Sequence, residues 1–188
     1  MGRWEPNARG RLQQAAMELF LERGFEQATV TEIAERAGLT QRTFFRHFAD
    51  KREVLFAGGD ALRELMVSAL ARAPDSAAPI DAVAASLQAA GAALQEGGEQ
   101  PRQRQAVIAA NADLQERELI KLASLAAALA DGLRRRGVAD PAASLAAEAG
   151  IAVFKIAFAR WVTGPSQREL TQVIRESLDE LKAVTASR

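Results

Sequence analysis

Apolar residues recur at every third or fourth position along most of this chain, which is the spacing of amphipathic α-helices. The first such stripe consists of Leu12, Ala15, Ala16, Leu19 and Phe20. Gly24 follows it, and glycine readily takes the left-handed conformation that ends many helices. Alternating apolar and polar residues, the pattern of strands, are not found. The sequence therefore predicts an all-α fold of about nine helices.

Three short N-terminal helices are predicted after the first, because each is preceded by a residue type that caps helix N-termini. The capping residues are Thr31, Thr40 and Asp50, and the expected helices are 31–37, 40–47 and 50–71. The last of these contains Gly58-Gly59, a pair that is unfavourable inside a helix. The pair is either a hinge between the N-terminal helices and the C-terminal part of the chain or a tolerated surface pair, and both interpretations stay open.

Five further helical segments fill the C-terminal part of the chain. They are expected at about 80–96, from 102 to a bend near Asn111, 113–136, 141–163 and 166–184. Ser166 and Glu169 have the spacing of a capping box at the start of the last helix.

The helix expected at 141–163 combines many alanines with large apolar residues, so it is apolar nearly all round. Such a helix must be covered on more than one face. Small residues allow close helix approach, which favours a symmetric homodimer through the last two helices, although a central helix of a monomer is the alternative. The predicted interface residues are Gly150, Val153, Leu170, Ile174 and Leu178.

Charge is balanced overall, with 24 Lys and Arg against 24 Asp and Glu, but it is unevenly distributed. The segment 36–52 carries five cations and one carboxylate, Asp50. The cations are Arg36, Arg42, Arg46, Lys51 and Arg52. A local basic patch is a possible footprint for phosphate, and a solvated charged face is the alternative on charge alone.

Composition argues against an enzyme. The chain has no cysteine, no tyrosine and a single histidine, and it shows no paired-carboxylate or glycine-rich phosphate signature. We therefore expect no catalytic residue, no metal and no cofactor. The most apolar stretch is interrupted by Lys155 and Arg160, so no run approaches the ~20 residues of a membrane helix. A cytoplasmic location is the default expectation.

Two short helices separated by the sequence AGLT match a helix-turn-helix. The second would lie in the DNA major groove and present its first turn to base edges. Phe44 and Phe48 would anchor it in the bundle, which leaves polar residues outside. Glutamine suits adenine, arginine suits guanine, and the threonine methyl group suits thymine.

The stretch AAMELFLERGFEQATVTEIAERAGLTQRTFFRHFADKREVLF resembles the DNA-binding domain of TetR-family transcriptional regulators, over about residues 9–56. The resemblance is carried by F-x-x-x-T-V-x-x-I-A-x-x-A-G, then T-x-x-x-F-F-x-H-F, then D-K. It implies an all-helical homodimer with a helix-turn-helix DNA-binding domain at 1–56 and a ligand-binding and dimerisation domain at 57–188. It also implies a repressor that a small molecule releases from its operator.

The motif and the resemblance together predict a set of DNA-contacting residues. They are Thr31, Thr40, Gln41, Arg42, Thr43, Phe45, Arg46, His47 and Lys51. His47 and Lys51 are expected at a phosphate strand. Phe45 departs from the family pattern, in which a tyrosine hydroxyl reaches a phosphate. Phenylalanine keeps the ring packing and loses that hydrogen bond.

The ligand is less well defined, because each apolar pocket candidate is also a candidate core residue. A mostly apolar pocket with few polar groups is expected, holding an apolar or amphipathic organic molecule. The candidate lining residues are Leu62, Met66, Leu87, Ile108, Asn111, Leu125, Phe154 and Phe158. The predicted function is a sequence-specific DNA-binding regulator. The alternative is a helical interaction or ligand-binding module without operator binding.

Overall fold

The computed structural model describes residues 7–164 and 168–186, and every regular element in these ranges is an α-helix. The ten helices are α1 (Ala8–Arg23), α2 (Val30–Arg36), α3 (Gln41–His47), α4 (Lys51–Leu55), α5 (Gly59–Ala71), α6 (Pro79–Glu96), α7 (Gln100–Ala109), α8 (Ala112–Arg135), α9 (Ala142–Thr163) and α10 (Leu170–Thr185). The all-α prediction is confirmed.

The helix expected at 50–71 is two helices, which accounts for the additional element. Its first part, α4, ends at Leu55, and Phe56 follows as the C-cap with its N–H bonded to the Glu53 carbonyl at 3.2 Å. Leu55 and Phe56 are both buried. Residues 56–58 form a turn, and α5 begins directly after it at Gly59.

The N-cap of α2 is Thr29 and not Thr31, which lies exposed in the first turn. Thr29 Oγ1 accepts a hydrogen bond from the Glu32 N–H at 3.2 Å, and the Glu32 carboxylate accepts one from the Thr29 N–H at 2.9 Å. This reciprocal capping box needs glutamate three residues after threonine, a spacing that Thr29 satisfies. The Thr29 backbone hydrogen bond is also the main reason that the pKa of Glu32 is lowered.

Several other predicted helix ends are confirmed. Gly24 ends α1 with φ of 85°, and the Phe25 ring packs against Phe20 with centroids 5.1 Å apart. Thr40 caps α3, and Asp50 caps α4. The predicted capping box of Ser166 and Glu169 cannot be compared, because Ser166 lies outside the described residues.

The chain forms two compact units. The first comprises the chain up to Gly58 together with Arg102–Glu116. Its core combines the apolar faces of α1 to α4 with three side chains from the second segment, Val107, Ile108 and Leu114. The sequence analysis did not predict that this segment would join the N-terminal helices.

The second unit comprises Gly59–Pro101 and the chain from Arg117 onward. Within it α6 packs against α5, α9 and α10. Ser86 on α6 is fully buried and donates a hydrogen bond to the Met66 carbonyl of α5 at 2.8 Å. The helices approach closely where α6 meets α9, because a Cβ at Gly150 would collide with Val83.

The five residues predicted for a dimer interface lie in the core of this second unit. Gly150, Val153, Leu170, Ile174 and Leu178 are all buried within the protomer. The prediction is wrong for these residues because their helix faces are covered by the chain's own helices. The large apolar side chains that α9 exposes are Leu145 and Ile156.

By length and composition alone, α9 is long and apolar enough to cross a membrane. The expectation that no segment approaches that length is therefore wrong. In the second unit α9 supplies Ala147, Phe154 and Trp161 to the core, and this role accounts for its apolar composition.

Candidate nucleic-acid interface

Helix α3 is fixed in the first unit by its cap and by two phenylalanines. Thr40 Oγ1 accepts a hydrogen bond from the Thr43 N–H at 3.2 Å and lies 3.0 Å from Thr43 Oγ1. Phe44 is fully buried, and Phe48 is nearly so. Their rings pack together with centroids 5.5 Å apart. The opposite side of α3 is thereby held in one orientation toward solvent.

The exposed face of α3 consists of Gln41, Arg42, Phe45 and Arg46. A shallow open cleft is lined by Thr40, Arg42, Thr43, Phe45 and Arg46. Six of the nine residues predicted to contact DNA, 40–43 with 45 and 46, therefore lie together on one helix and its cap.

The remaining three predicted contacts lie at the end of α3 or on other elements of the first unit. Thr31 is exposed on α2, and His47 is half-buried at the end of α3. His47 Nε2 is buried and forms no hydrogen bond with any residue that the structure describes. A phosphate contact by His47 therefore needs its other ring nitrogen or a turn of the ring.

Lys51 does not project freely toward solvent. Its Nζ donates hydrogen bonds to three backbone carbonyls after α1, those of Phe25 at 2.8 Å, Glu26 at 3.1 Å and Ala28 at 3.1 Å. It also lies 4.5 Å from the centre of the Phe25 ring. An ammonium group has three N–H donors, so all three donors of Lys51 are engaged within the first unit. The prediction that Lys51 binds phosphate is not supported by this geometry.

Three arginines bind backbone carbonyls of the first unit in the same way. Arg9 donates to the Ala57 carbonyl at 3.1 Å, Arg104 donates to the Leu55 carbonyl at 2.6 Å, and Arg11 donates to the Ala37 carbonyl. Arg9 and Arg104 thus hold the C-terminal end of α4 from α1 and α7. Sequence reasoning missed both, since neither belongs to the helix-turn-helix motif.

Other cations of this unit are paired with carboxylates. Arg36 binds Glu22 at 2.6 Å, and Arg52 binds Asp50 at 2.8 Å. The hydrogen bond from Arg36 lowers the pKa of the Glu22 carboxyl group. Such exposed pairs contribute little stability, but they neutralise much of the predicted basic patch.

Arg42 and Arg46 differ from these cations. Both are exposed on α3, and the described part of the first unit gives neither of them a hydrogen bond, ion pair or ring contact. They are therefore available to an external anion.

The pocket candidates do not form one set. Met66, Leu87, Leu125 and Phe154 are buried in the second unit, with Leu62 and Phe158 partly buried against them. Ile108 and Asn111 belong to the first unit. Ile108 lies in that unit's core, and Asn111 Nδ2 donates to the Val107 carbonyl at 2.7 Å. A ligand pocket within the second unit therefore does not include Ile108 or Asn111.

An anchored second helix with two arginines on its exposed face is the arrangement of a helix-turn-helix DNA-binding domain. Comparison with known families agrees. Residues 12–57 match the bacterial regulatory proteins of the tetR family, and residues 77–186, more than half of the chain, match the MftR C-terminal domain. The chain belongs to the TetR family of transcriptional regulators.

Individual relatives are similar over different lengths. The HTH-type transcriptional regulator TcmR of Streptomyces glaucescens is 38% identical over 89 residues, which is 47% of this chain and 39% of TcmR. The match thus spans well under half of that relative's length.

Two solved structures share the fold over nearly the whole chain. The FadR repressor of Thermus thermophilus in complex with lauroyl-CoA has a TM-score of 0.56 and 26% identity, with 96% of each chain covered. SmeT of Stenotrophomonas maltophilia in complex with triclosan has a TM-score of 0.69 and 21% identity, covering 94% of this chain and 90% of SmeT.

Proposed function

We propose that this protein is a homodimeric, cytoplasmic repressor that binds an operator through α3 and has no catalytic activity. The observation that carries the proposal is the contrast among cations. The first unit engages most of its lysine and arginine side chains internally, whereas Arg42 and Arg46 stay unpaired on the exposed face of α3. Guanidinium groups recognise guanine edges bidentately and also pair with phosphate.

The effector in this proposal is a small apolar or amphipathic molecule that binds the second unit and releases the DNA. Its contacts would come from the apolar candidates of that unit, among them Met66, Leu125 and Phe154, with Leu62 and Phe158 at the edge of the core. The lauroyl-CoA of the FadR complex, an acyl chain on a polar carrier, supports this chemical class.

The dimer in this proposal forms through the exposed stripe of α9. Leu145, Ala152, Ile156 and Ala159 recur at helical spacing and are all exposed in the protomer. Leu145 is 66% exposed and Ile156 is 53% exposed. A two-fold contact along this stripe would bury both side chains in both copies.

Selection from a random duplex library tests operator binding directly. The wild-type chain should enrich a two-fold sequence, and Arg42→Ala should bind it about 1–3 kcal/mol more weakly, with relaxed preference at one base position. The measurement is a gel-shift titration at two salt concentrations with the enriched duplex and with a scrambled one.

Two outcomes would contradict the proposal. If no duplex is enriched, the alternative holds and the chain is a helical interaction or ligand-binding module without an operator. If a duplex is enriched but Arg42→Ala binds it as tightly as wild type, α3 is not the element that reads the bases.

A further inference from the structure

Phe45 places a large apolar ring on the exposed face of α3, whose other residues are the polar or cationic Gln41, Arg42 and Arg46. The side chain is 51% exposed. On α3 its neighbours on the helix surface are Gln41 at i−4 and Arg42 at i−3, and Arg46 follows it directly in sequence. A ring in this position must meet whatever the two arginines bind.

The ring is held in place before any partner arrives. Phe45 packs edge-on against the buried Phe44, with centroids 5.5 Å apart and an interplanar angle of 86°. Phe44 is itself fully buried. Because the ring is supported in this way, its ordering on binding costs little conformational entropy.

A phosphate is a poor partner for this ring. Phenylalanine has no donor for a phosphate oxygen, so contact would remove water from the anion without replacing its hydrogen bonds. In the major groove, the apolar group that DNA presents is the C5 methyl of thymine. An exposed apolar ring on the same helix face as Arg42 and Arg46 therefore fits a thymine edge.

We infer that Phe45 is a specificity-determining residue that reads a thymine methyl group in each half-site. This inference rests on the proposed operator binding and adds the chemistry of one base position to it. Removing the methyl forfeits the burial of about one CH₂-sized group, which corresponds to roughly fourfold weaker binding per half-site. Loss in both half-sites of a dimer operator is then roughly fifteenfold.

The experiment replaces each thymine of the enriched duplex by deoxyuridine, in both half-sites at once. Deoxyuridine lacks only the methyl group, so pairing and the phosphate backbone are unchanged. Dissociation constants are measured by fluorescence anisotropy for the full wild-type chain and for Phe45→Ala. At one position, the replacement should weaken operator binding by the wild type roughly fifteenfold. The same replacement should weaken binding by Phe45→Ala less than twofold.

Two control variants test whether the methyl effect belongs to this ring. Thr43→Ser removes the methyl group of the neighbouring threonine, the competing apolar contact, and should keep the discrimination between thymine and deoxyuridine. Leu21→Ala removes another exposed apolar side chain of the first unit, 47% exposed on α1, and should bind as wild type does. Thermal unfolding checks that Phe45→Ala remains folded.

Three results would overturn the inference. The first is an operator in which no deoxyuridine substitution weakens binding. The second is a methyl effect that persists in Phe45→Ala, and the third is a methyl effect that disappears in Thr43→Ser. All three leave operator binding intact and reject only the role of Phe45, whereas failure to enrich any duplex rejects the proposed function as well.

Discussion

Lys51 provides a test at the scale of one residue. Lys51→Ala leaves the carbonyls of Phe25, Glu26 and Ala28 without their shared donor. The bonds to Phe25 and Ala28 are part-buried, and part-buried acceptors that lose a charged donor cost about 1–3 kcal/mol. We expect the free energy of unfolding to fall by that amount in urea titrations, while the salt dependence of operator binding keeps its slope.

Arg46→Ala is the matched control for this comparison, because Arg46 is an exposed cation and has no partner in the described residues. It should leave the free energy of unfolding unchanged within about 0.5 kcal/mol. If Arg46 contacts phosphate, the slope of log K against log salt should become shallower by roughly one unit per half-site. If Lys51→Ala changes the salt slope and Arg46→Ala does not, Lys51 is the residue that contacts phosphate.

The sequence alone could not separate these two cations. Both lie in one basic segment, and the family pattern assigns Lys51 to DNA. The three carbonyls that bind it come from residues 25–28, more than 20 positions earlier, and their direction depends on how Gly24 ends α1. Partners of this kind are set by tertiary packing, which no local pattern records.

The break between α4 and α5 gives a prediction at the scale of the element. Among the described residues, none apart from its chain neighbours has an atom within 4 Å of the place where a Cβ on Gly58 would stand, and the Gly58 backbone is outside the left-handed region. Gly58→Ala therefore introduces no strain and reduces the entropy of the unfolded chain. We expect the free energy of unfolding to rise by about 0.4–1 kcal/mol in chemical denaturation.

Gly24→Ala is the control, because a Cβ there also meets nothing within 4 Å but φ is 85°. This substitution should destabilise the protein, since alanine is strained in that conformation. The Gly58→Ala variant also separates the two interpretations of Gly58-Gly59. An unchanged effector response in Gly58→Ala fits a tolerated surface pair, whereas a weakened response with intact operator binding identifies a hinge.

Helix positions were largely predictable, because a 3.6-residue period and capping residues such as Thr40 and Asp50 are local features. The cap of α2 was placed two residues late because both Thr29 and Thr31 are good caps, and only the spacing to Glu32 separates them. The membership of α7 in the first unit was not predictable. Ile108 has the same apolar pattern whether it packs against the N-terminal helices or against the body.

Assembly is the prediction at the scale of the whole molecule. Leu145→Glu combined with Ile156→Glu places two carboxylates on the exposed stripe of α9. If this stripe is the two-fold interface, like charges from both copies meet there, and the dimer should dissociate at micromolar concentration. Multi-angle light scattering measures the mass, and operator affinity should fall with the loss of the dimer.

Leu119→Glu combined with Ile120→Glu is the matched control, with the same change at two exposed positions of α8. Leu119 is 55% exposed, so its replacement should cost little stability. Monomerisation by this pair and not by the α9 pair would place the interface on α8.

Gly150→Leu, by contrast, should lower the free energy of unfolding by about 1–3 kcal/mol, because it overpacks the protomer core against Val83.

The face of α9 that packs in the protomer could not be chosen from sequence. An all-round apolar helix offers no polar side to mark solvent, so Gly150 and Leu145 were equally plausible at an interface. The close approach of Val83 to Gly150 decides between them.

The carbonyl cage around Lys51 also makes that side chain a chemical reporter. An amine reacts with an acylating reagent through its nitrogen, and the three N–H groups of Lys51 are held against carbonyls in the folded head. Lys121, Lys155 and Lys182 are exposed and should be acylated rapidly. Mass-spectrometric labelling of Lys51 should therefore lag behind theirs and accelerate only when the turn at residues 25–28 opens.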